Sequence, residues 1–220
     1  MMARVAVILS GCGVNDGAEI HESVLTLLAL DRMDAEVVFA APNINQMDVV
    51  DHVTGKGTAE TRNVLSESAR IARGKIRDLA ELSADEVDAA IVPGGFGAAK
   101  NLSNFATGRD DWSVNGEVAR FLREVHAAGK PIGAICIAPA VVAALFGEEG
   151  VELTIGNDKG TAARLEGRGA RHRNCRVDDI VIDAERKIVT TPAYMLAGRI
   201  SEAADGIEKL CGAVVELARH

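Results

Sequence analysis

The chain predicts an α/β fold, a three-layer αβα sandwich around a mostly parallel sheet. Short β-rich runs alternate with helical patterns along the whole sequence, as repeated βαβ units require. Aromatics make up only 3% of the 220 residues, so the core is built from Val, Ile, Leu and Ala, which suits a sheet buried on both faces. With 48% apolar and 25% charged residues, the chain can bury a core without metals or disulfides. No composition shift, repeat or low-complexity stretch divides it, and residues 1–220 are read as one domain.

The elements follow in order. Residues 4–10 read as a strand ending in a glycine-rich loop over 11–17. Residues 18–33 read as a helix, with Ile20, Val24, Leu27 and Leu28 on one face and Asp16 as its cap. Residues 36–41 form a second strand, stopped by Pro42, and 58–72 a second helix. Residues 87–93 form a strand that runs into Gly94-Gly95-Phe96-Gly97. The polar stretch 103–112 is an excursion, and 114–128 a helix closed by Gly129. A very apolar strand over 131–135 leads into Cys136, and 138–145 is helical with Pro139 in its first turn. Shorter strands cover 151–155, 180–183 and 187–191, and 200–219 is a closing helix.

Charge and composition exclude several functions. The formal net charge is -8, so the chain repels phosphate backbones and nucleic acid is not expected as a partner. The first ten residues hold one cation and a short apolar run, too short for a membrane span or a secretory leader. The four cysteines, Cys12, Cys136, Cys175 and Cys211, are scattered and are expected as free thiols. A cytoplasmic location and no membrane contact are the resulting expectations. No His, Cys and Asp cluster has metal-ligand spacing, so neither metal nor cofactor is expected.

In a doubly wound sheet, ligands bind beyond the carboxyl ends of the strands. Cys136 stands at such an end, where a strand turns straight into a helix. That elbow strains the residue and exposes its side chain at the sheet top. A helix N-terminus there favours the thiolate and predicts a lowered pKa. The competing reading is a buried structural cysteine. Gly94-Gly95 ends the neighbouring strand, and the N–H groups of Gly95 and Ile137 are the candidate oxyanion hole. Glu22 lies one turn into the first helix, where burial would raise its pKa and make it a proton shuttle. The loop 11–17 lacks dinucleotide spacing, and Asp16 would repel a pyrophosphate. None of the histidines, His21, His52, His126, His172 and His220, follows a strand end in an obvious catalytic position.

Three motifs together resemble the PfpI-like superfamily: Gly17-Ala18-Glu19-Ile20-His21-Glu22, Pro93-Gly94-Gly95, and Ala134-Ile135-Cys136 with Pro139. That family has a flavodoxin-like, class I glutamine amidotransferase-like fold. The runs Val7 to Val14, Val92 to Asn104, Cys136 to Ala140 and Lys187 to Met195 are similar to its ElbB subgroup, glyoxalase-like proteins linked by name to isoprenoid biosynthesis. The resemblance implies Cys136 as nucleophile, Glu22 as its carboxylate partner, and a homodimer. Two departures matter. Ile137 stands where PfpI-type proteases have His, and Thr190-Thr191-Pro192 replaces the late His-x-Glu of glutaminase domains. Peptide hydrolysis and ammonia release are therefore disfavoured. The expected function is a cofactor-independent glyoxalase acting on glyoxal or another small aldehyde or dicarbonyl. Cys136 would form a hemithioacetal, Glu22 would move a proton, and water would release glycolate. The alternative is a redox-sensing or stress-response interaction protein with an oxidisable Cys136.

Overall fold

The computed structural model describes residues 2–219; Met1 and His220 lie outside the described residues. The central sheet contains β1 (Arg4–Ile8), β2 (Glu36–Ala41), β3 (Arg77–Asp78), β4 (Ala89–Val92), β5 (Ile132–Ile135), β6 (Val181–Asp183) and β7 (Ile188–Thr191). Their spatial order is β6-β7-β5-β4-β1-β2-β3. Neighbours run parallel except β6 and β7, which pair antiparallel at one edge. The sheet carries the α/β architecture that the sequence predicts.

The helices are α1 (Ile20–Arg32), α2 (Val64–Ile71), α3 (Phe96–Lys100), α4 (Gly116–Ala127), α5 (Pro139–Phe146), α6 (Lys159–Gly167) and α7 (Ile200–Ala218). Side chains alternate across a strand, so β1 feeds two cores. Ala6 and Ile8 join Phe121 and Leu122 of α4 and Val141 and Val142 of α5 on one face. Val5 and Val7 join Leu30 of α1 and Ile207, Leu210 and Val214 of α7 on the other. All four residues of β4 and of β5 are buried, and no polar face is needed where both sides are covered.

Several local expectations are corrected. Asp16 does not cap α1: its carboxylate accepts the Val50 N–H at 2.8 Å, and the Glu19 side chain caps by accepting the Glu22 N–H at 2.6 Å. Helix α2 starts at Val64, later than the pattern suggests, because Asn63 turns the chain and accepts the Ser66 N–H at 3.0 Å. Within 151–155, Glu152–Leu153 pairs with Arg171–His172 in a separate two-stranded sheet. Helices α3 and α6 and the small hairpin of Val50–Asp51 with Lys56–Gly57 were not expected at all.

Candidate active site

The carboxyl ends of β4, β5 and β7 meet around Cys136. The residue follows β5 directly, and α5 begins three residues later with Pro139 at its first position. Its φ is 62°, in the left-handed region, where a side chain other than glycine's is strained. The Cys136 N–H donates to the Thr191 carbonyl at 3.0 Å, which ties the elbow to β7. The strained turn leaves Cys136 at the edge of one core layer, where it also lines a cavity.

Glu22 meets that thiol. It lies in the first turn of α1, has no exposed surface, and sits beside Cys136, its Oε2 and the Cys136 Cβ both lying against Gly94. Two backbone groups hold it: the Gly94 N–H donates to Oε2 at 2.9 Å and the Tyr194 N–H to Oε1 at 3.2 Å. A return bond from the Glu19 N–H to the Gly94 carbonyl, 2.9 Å, locks the start of α1 to the end of β4. Burial, and next the negative charge of Glu19, push the Glu22 carboxyl up to about 8 despite the Tyr194, Cys136 and Gly94 bonds that oppose this. A carboxyl buried this deeply holds its proton at neutral pH.

Gly94 is required by space. A Cβ there would lie 2.5 Å from the Cys136 Cβ and 2.7 Å from Glu22 Oε2. Gly95 is required by conformation, with φ at 90°. The Gly95 and Ile137 N–H groups act on the neighbouring Cys136 thiol and favour its charged form. The expected lowering of the thiol pKa is corrected. Burial first, and the Glu22 charge second, raise the Cys136 thiol well above its ordinary value, and the two N–H groups only partly offset this. The sulfur loses more hydration than the helix end returns.

A cavity of about 390 Å³ opens onto Cys136. Its walls include Val14, Phe96, Phe105, Ile137, Tyr194 and Met195, with Glu19 beside them. Cys136 is only 8% exposed, yet it forms part of the cavity lining. Cys12, at the neighbouring strand end, is not among the lining residues. A larger groove of about 740 Å³ lies at the opposite end of the strands, against Arg4, Glu86 and Asp88, away from the thiol.

The sequence places Tyr194 just past a strand end and His21 in the first-helix motif but gives neither a role. The Tyr194 hydroxyl lies 2.9 Å from His21 Nδ1, and the tyrosine both lines the cavity and tethers Glu22 through its backbone. His21 thus stands beside the site through a partner distant in sequence. His52 instead pairs with Asp16, and His126 with Glu149. Among the described residues no group of three His, Cys, Asp or Glu side chains stands ready to hold a metal ion. No described helix is long and apolar enough to cross a membrane.

This geometry coincides with a family match. The model of the DJ-1/PfpI family matches residues 4–191. The chain belongs to the DJ-1/PfpI family. It is 51% identical to the human "Glutamine amidotransferase-like class 1 domain-containing protein 3, mitochondrial", over 98% of this chain and 83% of that protein. It is 50% identical to the rat "ES1 protein homolog, mitochondrial", over 98% of this chain and 84% of that one. A crystal structure from Ehrlichia chaffeensis, of an isoprenoid biosynthesis protein with an amidotransferase-like domain, superposes with a TM-score of 0.92. It is 40% identical and covers 98% of this chain and 99% of its own. These relatives overturn the expected cytoplasmic location, because the human and rat proteins are named as mitochondrial. That expectation rested on scattered free thiols and the lack of a secretory pattern, which a mitochondrial protein shares.

Proposed function

We propose that this DJ-1/PfpI chain is a cofactor-independent glyoxalase that converts glyoxal and other small dicarbonyls to hydroxy acids. The observation that carries the reading is the buried Glu22 carboxyl beside Cys136, whose thiol, unlike Glu22 itself, lines a cavity. The Cys136 sulfur adds to an aldehyde carbon, forming a C–S bond, while its proton passes to the carbonyl oxygen by way of Glu22. The Gly95 and Ile137 N–H groups face the sulfur and stabilise charge developing beside it. Glu22 then takes the C–H proton of the hemithioacetal and returns it to the adjacent carbon. The first carbon is oxidised to a thioester and the second reduced to an alcohol, so no external oxidant is needed. Water cleaves the C–S bond, giving glycolate and the free thiol.

Peptide and glutamine hydrolysis need a general acid for the departing amine, usually an imidazole. Among the described residues no histidine lines the cavity. Addition to an aldehyde has no such leaving group. The redox-sensing alternative needs a thiol exposed to oxidants. Cys136 is only 8% exposed, which favours the glyoxalase reading. The family resemblance also supports a homodimer, which sedimentation velocity tests directly.

The decisive experiment measures glycolate formed from glyoxal by the wild type, Cys136→Ser and Glu22→Gln proteins. Each substitution is expected to lower kcat/KM about 100-fold or more, roughly 2.7 kcal/mol of transition-state stabilisation. Undiminished turnover by Cys136→Ser would end the reading.

A further inference from the structure

The cavity over Cys136 is larger and more apolar than glyoxal needs. Its volume is about 390 Å³, within the range of roughly 300–1,000 Å³ that houses much bulkier ligands. Glyoxal carries no substituent beyond its two carbonyls. Phe105, Phe96, Met195 and Val14 line the space above the thiol. Two of them, Val14 at 40% and Phe96 at 51%, leave apolar surface open to solvent. Their exposed surface lies at this cavity, where it can meet an entering molecule.

Charge narrows the class further. Among the described residues no Lys or Arg lines the cavity. Lys100, whose Nζ lies 5.5 Å from the centre of the Phe96 ring, is already engaged by Asp48 at 2.8 Å and the Asn15 carbonyl at 3.0 Å. The ionisable wall residue beside Cys136 and Tyr194 is Glu19, which repels an anionic substrate. A phosphorylated or carboxylated aldehyde therefore finds no counter-charge among the lining residues.

We propose that the preferred substrate is an uncharged α-oxoaldehyde bearing a bulky apolar substituent. The substituent packs against Val14, Phe96, Phe105 and Met195 while the aldehyde carbon meets the Cys136 sulfur. The inference rests on the dicarbonyl reading of the same site and uses the same chemistry. The aldehyde carbon is oxidised to the acid, the neighbouring ketone is reduced to the alcohol, and one water is consumed. Burying even one extra methylene in an apolar pocket is worth roughly 10–200-fold in kcat/KM.

The test compares kcat/KM for glyoxal, methylglyoxal and phenylglyoxal in the wild type and in Ala106→Phe and Phe96→Ser. Ala106 is an exposed lining residue, so its enlargement narrows the space from a loop and spares the core. The expected result is a preference for phenylglyoxal over glyoxal of about tenfold or more. Ala106→Phe and Phe96→Ser each reduce that ratio severalfold, which separates pocket fit from the intrinsic reactivity of the two aldehydes. Equal values for the two substrates, or a ratio that neither variant moves, would overturn the inference, while Cys136-dependent glyoxal turnover would leave the glyoxalase reading standing. Absence of Cys136-dependent turnover with every compound would remove both. A second measurement needs no turnover: Cys136 should react faster with N-phenylmaleimide than with N-ethylmaleimide, relative to a free thiol. No such selectivity counts against the apolar pocket itself.

Discussion

A carboxyl with no exposed surface, pushed up to about 8 by burial and then by Glu19, carries its proton at neutral pH. Attack by Cys136 requires the pair to have lost one proton, whichever atom holds the other. We therefore expect kcat/KM to rise with pH and to level off above about 8, with the inflection following Glu22. The profile of Glu22→Gln should lack that inflection, and its retention there would assign it to another group. Gly94 offers a sharper steric test. Gly94→Ala places a methyl against both the Cys136 Cβ and Glu22 Oε2. It should abolish turnover and lower stability by about 1–3 kcal/mol, both read from purified protein by product assay and thermal melt. At this scale the strand-to-helix turn at Cys136 and Ile137 was legible because it is local in sequence, and the turn at Gly95 because a double glycine ends a strand. Glu22 needed the motif resemblance as well as its place in the first helix turn. The tether from Tyr194 to Glu22 was illegible because the two lie 172 positions apart, and no local pattern marks such a pairing.

Among the elements, the stretch between α3 and α4 forms one wall of the cavity through Phe105 and Ala106. Arg164 of α6 holds it down. Its guanidinium sits 3.8 Å from the centre of the Phe105 ring and donates to the carbonyls of Phe105, Gly108 and Arg109 at 3.0, 2.9 and 3.0 Å. Arg164→Ala should therefore lower stability by about 1–3 kcal/mol. It should also speed amide hydrogen exchange over residues 104–112 more than in β1 or β4. Uniform acceleration across the chain would show that the arginine does not act as this local fastener. The sequence exposed the excursion but not its clasp. Helix α6 contains Gly160 and ends at Gly167, which weakens its helical pattern, and the Asp158 side chain starts it by accepting the Thr161 N–H at 2.7 Å. Helix α3 is equally hidden, since its first turn follows directly on Gly94-Gly95.

For the whole molecule, the same buried carboxyl shapes stability. An unfolded chain ionises Glu22 near 4.5 and the folded chain near 8. Between those values the unfolded state releases the proton and is favoured, so this group's contribution falls as pH rises from about 4.5 to about 8. The full loss is on the order of a few kcal/mol. Denaturant titrations of wild type and Glu22→Gln across that range should diverge, with the variant showing the flatter profile. Parallel curves would locate the dependence elsewhere. The layered α/β plan was legible because apolar runs such as 131–135 are buried on both faces and alternate with helices of suitable length. Which strands flank the sheet was not: β3, with two residues, and the antiparallel β6 are set by long-range pairing.

The paired grip on Glu22 has one further consequence. Its two oxygens are held by Gly94 and Tyr194, and its partner thiol belongs to neither segment. A chain cleaved in two at the exposed residues 109–111 would leave the acid on one piece and the sulfur on the other. Neither fragment alone would carry the reactive pair, and mixing them would restore turnover only as the halves dock, which makes the pair a reporter of reassembly.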